Sequence, residues 1–140
     1  MRHGDAVHED EAGSDRDRWL SPRGREAARV LGRLLREQQL ELDALVCSPL
    51  PRAVQTAELL AHMLDYIAPI ATWRCLEPSA HPRVASAEIT RAGESVLVVG
   101  HEPSISAIGA TLMPTVGIMP AATRGCADGS RQRHDAMWAM

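Results

Sequence analysis

Apolar positions along the chain follow two alternating periods. Ala27, Val30, Leu31, Leu34 and Leu35 return at steps of three and four, which places them on one face of a helix. That helix spans about Pro22 to Gln38, with Ser21 as N-cap and Pro22 at its first position. Ala44-Leu45-Val46-Cys47 is a short continuous apolar run, predicting a buried strand that ends in the loop Ser48-Pro49-Leu50-Pro51. A second helix follows over about Arg52–Leu64, with Val54, Ala57, Leu60, Ala61 and Leu64 on one side. Ile67 to Trp73 is a weaker strand, Pro78 and Pro82 interrupt the pattern, and residues 83–93 read as helical on a poor apolar period. Ser95-Val96-Leu97-Val98-Val99 is the clearest strand, continuously apolar and β-branched as in a parallel strand covered on both faces. It ends at Gly100-His101-Glu102-Pro103, and Ser104–Leu112 forms the next helix.

Strand-helix alternation of this kind indicates an α/β layer fold. Residues 5–18, with their Asp/Glu run at 9–17, have no period and read as a solvated loop. From Gly117 onward neither period is present. The 140 residues suit one domain, and 45% hydrophobic with 24% charged residues excludes a wholly disordered chain. With no Phe and only 3% aromatics, the core must be built from Leu, Val, Ile, Ala and Met. No apolar run approaches the ~18 residues needed to span a bilayer, and no signal peptide opens the chain. The three cysteines, Cys47, Cys75 and Cys126, form no C-x-x-C pair, so reduced thiols in a cytoplasm are expected. A net charge of −3 argues against nucleic acid as partner.

Ligands of open α/β sheets bind beyond the carboxyl ends of the strands. That rule selects the 46–52 loop, the 100–104 loop and the segment Arg2-His3-Gly4, which contribute Arg52, His101, Arg2 and His3. Two guanidiniums and two imidazoles at one sheet edge make an anion site, and the planar fork of Arg suits phosphate. A neutral imidazole can attack phosphorus and give a phosphohistidine that water hydrolyses, while the arginines and a protonated second histidine hold the developing charge. That scheme calls for no metal and no cofactor. His8, His62, His81 and His134 have no ligand-like spacing and read as surface groups.

Four segments carry a resemblance to a known family: Arg2-His3-Gly4-Asp5, Leu20-Ser21-Pro22-Arg23-Gly24, Ser48-Pro49-Leu50-Pro51-Arg52-Ala53-Val54-Gln55-Thr56-Ala57, and Val98-Val99-Gly100-His101-Glu102-Pro103. In order and spacing the chain resembles the histidine phosphatases, or phosphoglycerate-mutase-like superfamily, and within it the short SixA-type phosphohistidine phosphatases. The resemblance implies a three-layer α/β/α fold with a mostly parallel central sheet. It makes His3 the nucleophile, with Arg2, Arg52 and His101 holding phosphate and Gly4, Ser48 and Glu102 lining the same pocket. Glu77 is the candidate acid, with Glu102 and Asp5 as rivals. Larger relatives insert a helical subdomain where this chain has only the short 57–95 segment, so an open groove and a phosphohistidine-bearing protein of phosphorelay or phosphotransferase type are expected. A broad small-molecule phosphomonoesterase is the alternative, and a weakly active phosphate-binding member is a third. Relatives carry an apolar strand before Arg-His-Gly where this chain has Met1. The expected organisation is a phosphatase domain over 1–116, lacking that first strand, and an atypical or poorly ordered tail over 117–140.

Overall fold

The computed structural model describes residues 1–113. In chain order they form α1 (Glu9–Ala12), α2 (Pro22–Glu37), β1 (Ala44–Cys47), α3 (Pro51–Leu64), β2 (Ala71–Thr72), a 3₁₀ turn at Arg74–Leu76, α4 (Pro82–Ala92), β3 (Val96–Val99) and α5 (Ser104–Leu112). The sheet has the order β2-β1-β3 and is parallel throughout, with Val46 opposite Ala71 on one side and Val98 on the other.

Because successive strand residues point to opposite faces, β1 supplies both layers. Leu45 and Cys47 join Ala53, Ala57 and Leu60 of α3, with Leu31 and Leu35 of α2 packed against them. Val46 and Val98 join Ala85 and Ile89 of α4 and Ile108 of α5 on the other face. This is the expected three-layer α/β/α arrangement, and it explains why β1 and β3 read as unbroken apolar runs.

The buried face of α2 differs from the one its apolar period predicts. Val30 and Leu34 are 41% and 53% exposed, whereas Gly24, Ala28 and Gly32 are buried. A side chain at Gly32 would place its Cβ 2.4 Å from Cβ of Met63 on α3. Small residues therefore set a close α2–α3 approach, and the buried stripe runs through them with Leu31 and Leu35 beside it, leaving Val30 and Leu34 outside. The poor period of α4 has a similar origin, since its buried face is Ala85, Ser86 and Ile89. The Ser86 hydroxyl is satisfied by donating to the Pro82 carbonyl (3.0 Å). The weak strand at 67–73 shrinks to Ala71–Thr72, and the aperiodic 5–18 segment contains the single turn α1.

Met1 to His3 lie beside the end of β3. The Gly100 amide donates to Met1 O (2.9 Å) and the His3 amide donates to Gly100 O (3.0 Å), giving one parallel bridge between Arg2 and Gly100. Two residues before His3 thus supply a bridge where the family pattern has a strand. The tail expected over 117–140 lies outside the described residues. Among those residues, no helix is long and apolar enough to cross a membrane.

Gly24 ties α2 to the loop after His3. Its amide donates to Ser21 Oγ (3.0 Å), the N-cap contact, and an added Cβ would fall 2.0 Å from the Asp5 carbonyl oxygen. Backbone cannot retreat as a flexible side chain can. Gly24→Ala is therefore expected to lose about 2–3 kcal/mol of stability in urea unfolding. A loss below about 0.5 kcal/mol, the range of neutral surface changes, would contradict this packing.

Candidate active site

The carboxyl ends of β1 and β3 deliver Ser48 and Gly100-His101 to one edge of the sheet, and the bridge at Gly100 sets His3 beside them. The imidazoles of His3 and His101 lie with ring centroids 5.0 Å apart. Arg52, in the first turn of α3, is 3% exposed and reaches the same point. These groups, with Arg2, Arg18 and Glu102, line an open cleft of about 290 Å³. A hollow of equal volume lies between Leu40, Leu64, Tyr66 and Ile67. It is walled mainly by apolar side chains and holds neither an imidazole nor a guanidinium, so the chemistry belongs to the first cleft.

Local contacts define the state of His3. Its Nδ1 lies 2.6 Å from the Gly4 carbonyl oxygen, which can only accept, so Nδ1 carries the proton. Nε2 then presents a lone pair to the cleft, where it accepts from Arg52 Nε (3.3 Å). Burial holds the His3 pKa below its ordinary value against the opposing Gly4 contact, and the nearby Arg52, Arg2 and Arg18 add to the depression. The imidazole is neutral and nucleophilic at neutral pH.

His101 is buried, with Nε2 2.8 Å from Ser48 Oγ. Its Nδ1 has no partner among the described residues. Burial, then the neighbouring His3 and Arg52, push its pKa down to about 4. The second histidine, protonated in the scheme expected from the sequence, is thus neutral in the free protein, because it is buried beside His3 and Arg52. Burial pushes the Cys47 thiol up to about 11, so this cysteine next to Ser48 stays protonated and unreactive.

Two α3 residues that sequence reasoning left without roles hold this geometry. The Gly4 amide donates to Thr56 Oγ1 (3.1 Å), whose hydroxyl donates to the Arg52 carbonyl (2.7 Å). The Leu20 amide donates to Gln55 Oε1 (2.8 Å). Asp15 and Arg18 were also missed. Arg52 Nη1 donates to the Asp15 carbonyl (2.5 Å) and Nη2 to its carboxylate (3.1 Å), and Arg18 Nη1 donates to the same carboxylate (3.0 Å). The segment read as a solvated loop therefore enters the site. The only signal of this was the three-residue spacing of Asp15 and Arg18.

The candidate acids are placed differently from the histidines. Glu77 lies outside the cleft lining, paired with Arg16 (3.2 Å) and Arg74 (3.8 Å), whereas its neighbour Pro78 lines the cleft. Glu102 lines the cleft and accepts from Ser106 Oγ (2.7 Å). Asp5 accepts from Ser21 Oγ (2.7 Å). Arg2 is exposed at the rim, and Gly4 and Ser48 sit behind the two imidazoles.

Residues 1–78 match the model of the histidine phosphatase superfamily (branch 1). The chain belongs to this superfamily. Among its histidine phosphatase relatives, phosphohistidine phosphatase SixA of Escherichia coli (strain K12) is 33% identical over 118 residues, 81% of this chain and 72% of that protein. An uncharacterized protein of Mycobacterium tuberculosis (strain ATCC 25618 / H37Rv) is 40% identical over 121 residues, 84% of this chain and 72% of its own length. The solved structure of the protein histidine phosphatase SixA complexed with tungstate is 31% identical, with a TM-score of 0.75, over 82% of this chain and 75% of that one.

The depressed His101 pKa links this histidine phosphatase site to stability. Unfolded, the group titrates near its ordinary 6.5, against about 4 in the fold. Between these values the unfolded chain binds the extra proton, so the stabilisation is present above about pH 6.5 and lost as pH falls toward 4. The loss is on the order of 2–3 kcal/mol. Urea midpoints at pH 7 and 4.5 should fall further for the wild type than for His101→Asn. Equal falls would refute the assignment.

Proposed function

We propose that this chain is a cytoplasmic phosphohistidine phosphatase that dephosphorylates a histidine-phosphorylated protein through a phosphohistidine intermediate on His3. The observation that carries the reading is the Nε2 lone pair of His3, set by the Gly4 carbonyl and facing a cleft lined by Arg2, Arg52 and His101. The SixA relatives support the substrate class, and the tungstate complex supports the anion class, since tungstate is a tetrahedral oxyanion like phosphate.

In this reading Nε2 attacks phosphorus and the P–N bond to the substrate imidazole breaks. The departing nitrogen takes a proton from solvent or from Glu102, the carboxyl group at the cleft. Arg2 and Arg52 hold the equatorial oxygens, and His101 is the further donor once the anion restores its proton affinity. Water then attacks phosphorus, the His3 P–N bond breaks, and inorganic phosphate leaves with His3 neutral again. Ser48 orients His101, and Gly4 orients His3. Every step uses side chains of residues 1–116 and none needs a metal. An imidazole leaving group needs little acid assistance, so the pairing of Glu77 with Arg16 is compatible with turnover. The open cleft suits a side chain presented by a protein surface better than a small ester, which depends on enclosure for affinity.

The test is phosphate release from a histidine-phosphorylated phosphorelay or phosphotransferase protein. Wild type should form an acid-labile phosphoprotein and turn over, with rates unchanged by EDTA. His3→Ala should form no adduct, and Arg52→Ala should lose roughly 10²–10³ in kcat, as for other oxyanion donors. An adduct on His3→Ala would remove the nucleophile assignment. Faster hydrolysis of simple phosphate esters than of the phosphoprotein would favour the monoesterase alternative.

A further inference from the structure

We propose that Asp15 is a resident counter-anion that an incoming phosphoryl group must displace, so that this residue sets the affinity of the cleft for phosphate-type anions. The inference rests on the phosphoryl reading of the cleft and deepens it. A guanidinium presents its N–H groups along two forked edges, and tight phosphate binding uses one fork with two parallel bonds. Neither fork of Arg52 is open. Nη1 and Nη2 are spent on the carbonyl and carboxylate of Asp15, and Nε on His3. At 3% exposure the side chain offers the cleft little further surface.

The Asp15 carboxylate also engages the second guanidinium of the cleft. It accepts from Arg18 Nη1, while Arg18 Nε is spent on the Val7 carbonyl (2.7 Å). These two arginines hold the Asp15 pKa below the usual carboxylate range, Arg18 foremost. The residue therefore stands as a full negative charge where the phosphoryl oxygens belong. A dianion bound to Arg52 with Asp15 in place would sit against that charge. Exchange of one anion for the other resolves both the geometric and the electrostatic conflict.

The segment is built to let go. The Asp15 side chain is 54% exposed, and α1 buries no residue. The base of the loop is secured separately, by the Val7 amide donating to Trp19 O (2.9 Å) and the Ala6–Leu20 bridge. Residues 8–18 can swing from that base while His3 and Leu20 stay in place.

Tungstate binding to the full chain, measured by calorimetry, tests this without turnover. Asp15→Asn keeps the shape and removes the charge, and should bind tungstate roughly five- to tenfold more tightly than wild type, the scale of one partly screened charge. Equal or weaker binding by Asp15→Asn would overturn the proposal and make Asp15 a group that orients Arg52. Failure of both wild type and Asp15→Asn to bind tungstate would overturn the phosphoryl reading itself, and this inference with it. Tryptic cleavage after Arg16, followed by fragment mass, gives an independent readout. Tungstate should accelerate it in wild type, and unchanged or slower cleavage counts against displacement.

Discussion

The structure turns on a cation buried where the local field is already positive. Arg52 sits in the first turn of α3, where the helix dipole disfavours positive charge, and its side chain is almost wholly removed from water. Removing a guanidinium from water costs several kcal/mol unless partners restore its hydrogen bonds. Those partners are the lone pair of His3 and both acceptor groups of Asp15. The same positive field, added to burial, keeps both imidazoles neutral. Two imidazoles kept unprotonated and a strong demand for an anion therefore have one origin.

The fold answers that demand with little material. Three short parallel strands suffice because the two layers of helices bury Leu45, Val46 and Cys47 of β1 and Val98 and Val99 of β3 between them, and because the strand ends face one way. The bridge at Gly100 then links the backbone of His3 to the residue before His101, so that the distance between the rings depends on one pair of backbone hydrogen bonds. The connections after α3 are short, and the cleft is open.

Sequence patterns were most informative where burial is symmetrical. β1, β3, α3 and α5 were legible because continuous apolar runs and three-to-four spacing have one structural solution each. The α2 face was legible only in part: Leu31 and Leu35 pack on the core, but Gly24, Ala28 and Gly32 make the close contact, and small residues are silent in a hydrophobic period. In the site, the strand-end rule pointed to His3, Arg2, Arg52 and His101 and the family resemblance added Ser48, and the structure brings these residues to one sheet edge. Glu77 was not: it is one residue from cleft-lining Pro78, and that single step turns its side chain toward Arg16 and Arg74. Asp15 and Arg18 lie in a stretch without period, where charge density alone does not distinguish a solvated loop from one folded onto a guanidinium.

Helix α3 carries Arg52, Gln55 and Thr56 at spacings of three and four, hence on one face. From that face it fixes the guanidinium, the chain at Leu20 and the chain at Gly4. It works as a jig for these three parts, while the Gly100 bridge references His3 to the sheet that also carries His101 and Ser48. The cleft is thus gauged from two bodies, a rod above and a sheet below. Substitutions between α3 and the sheet therefore reach the cleft as well as the core, because a shift of the rod moves Arg52 against imidazoles that the sheet holds still.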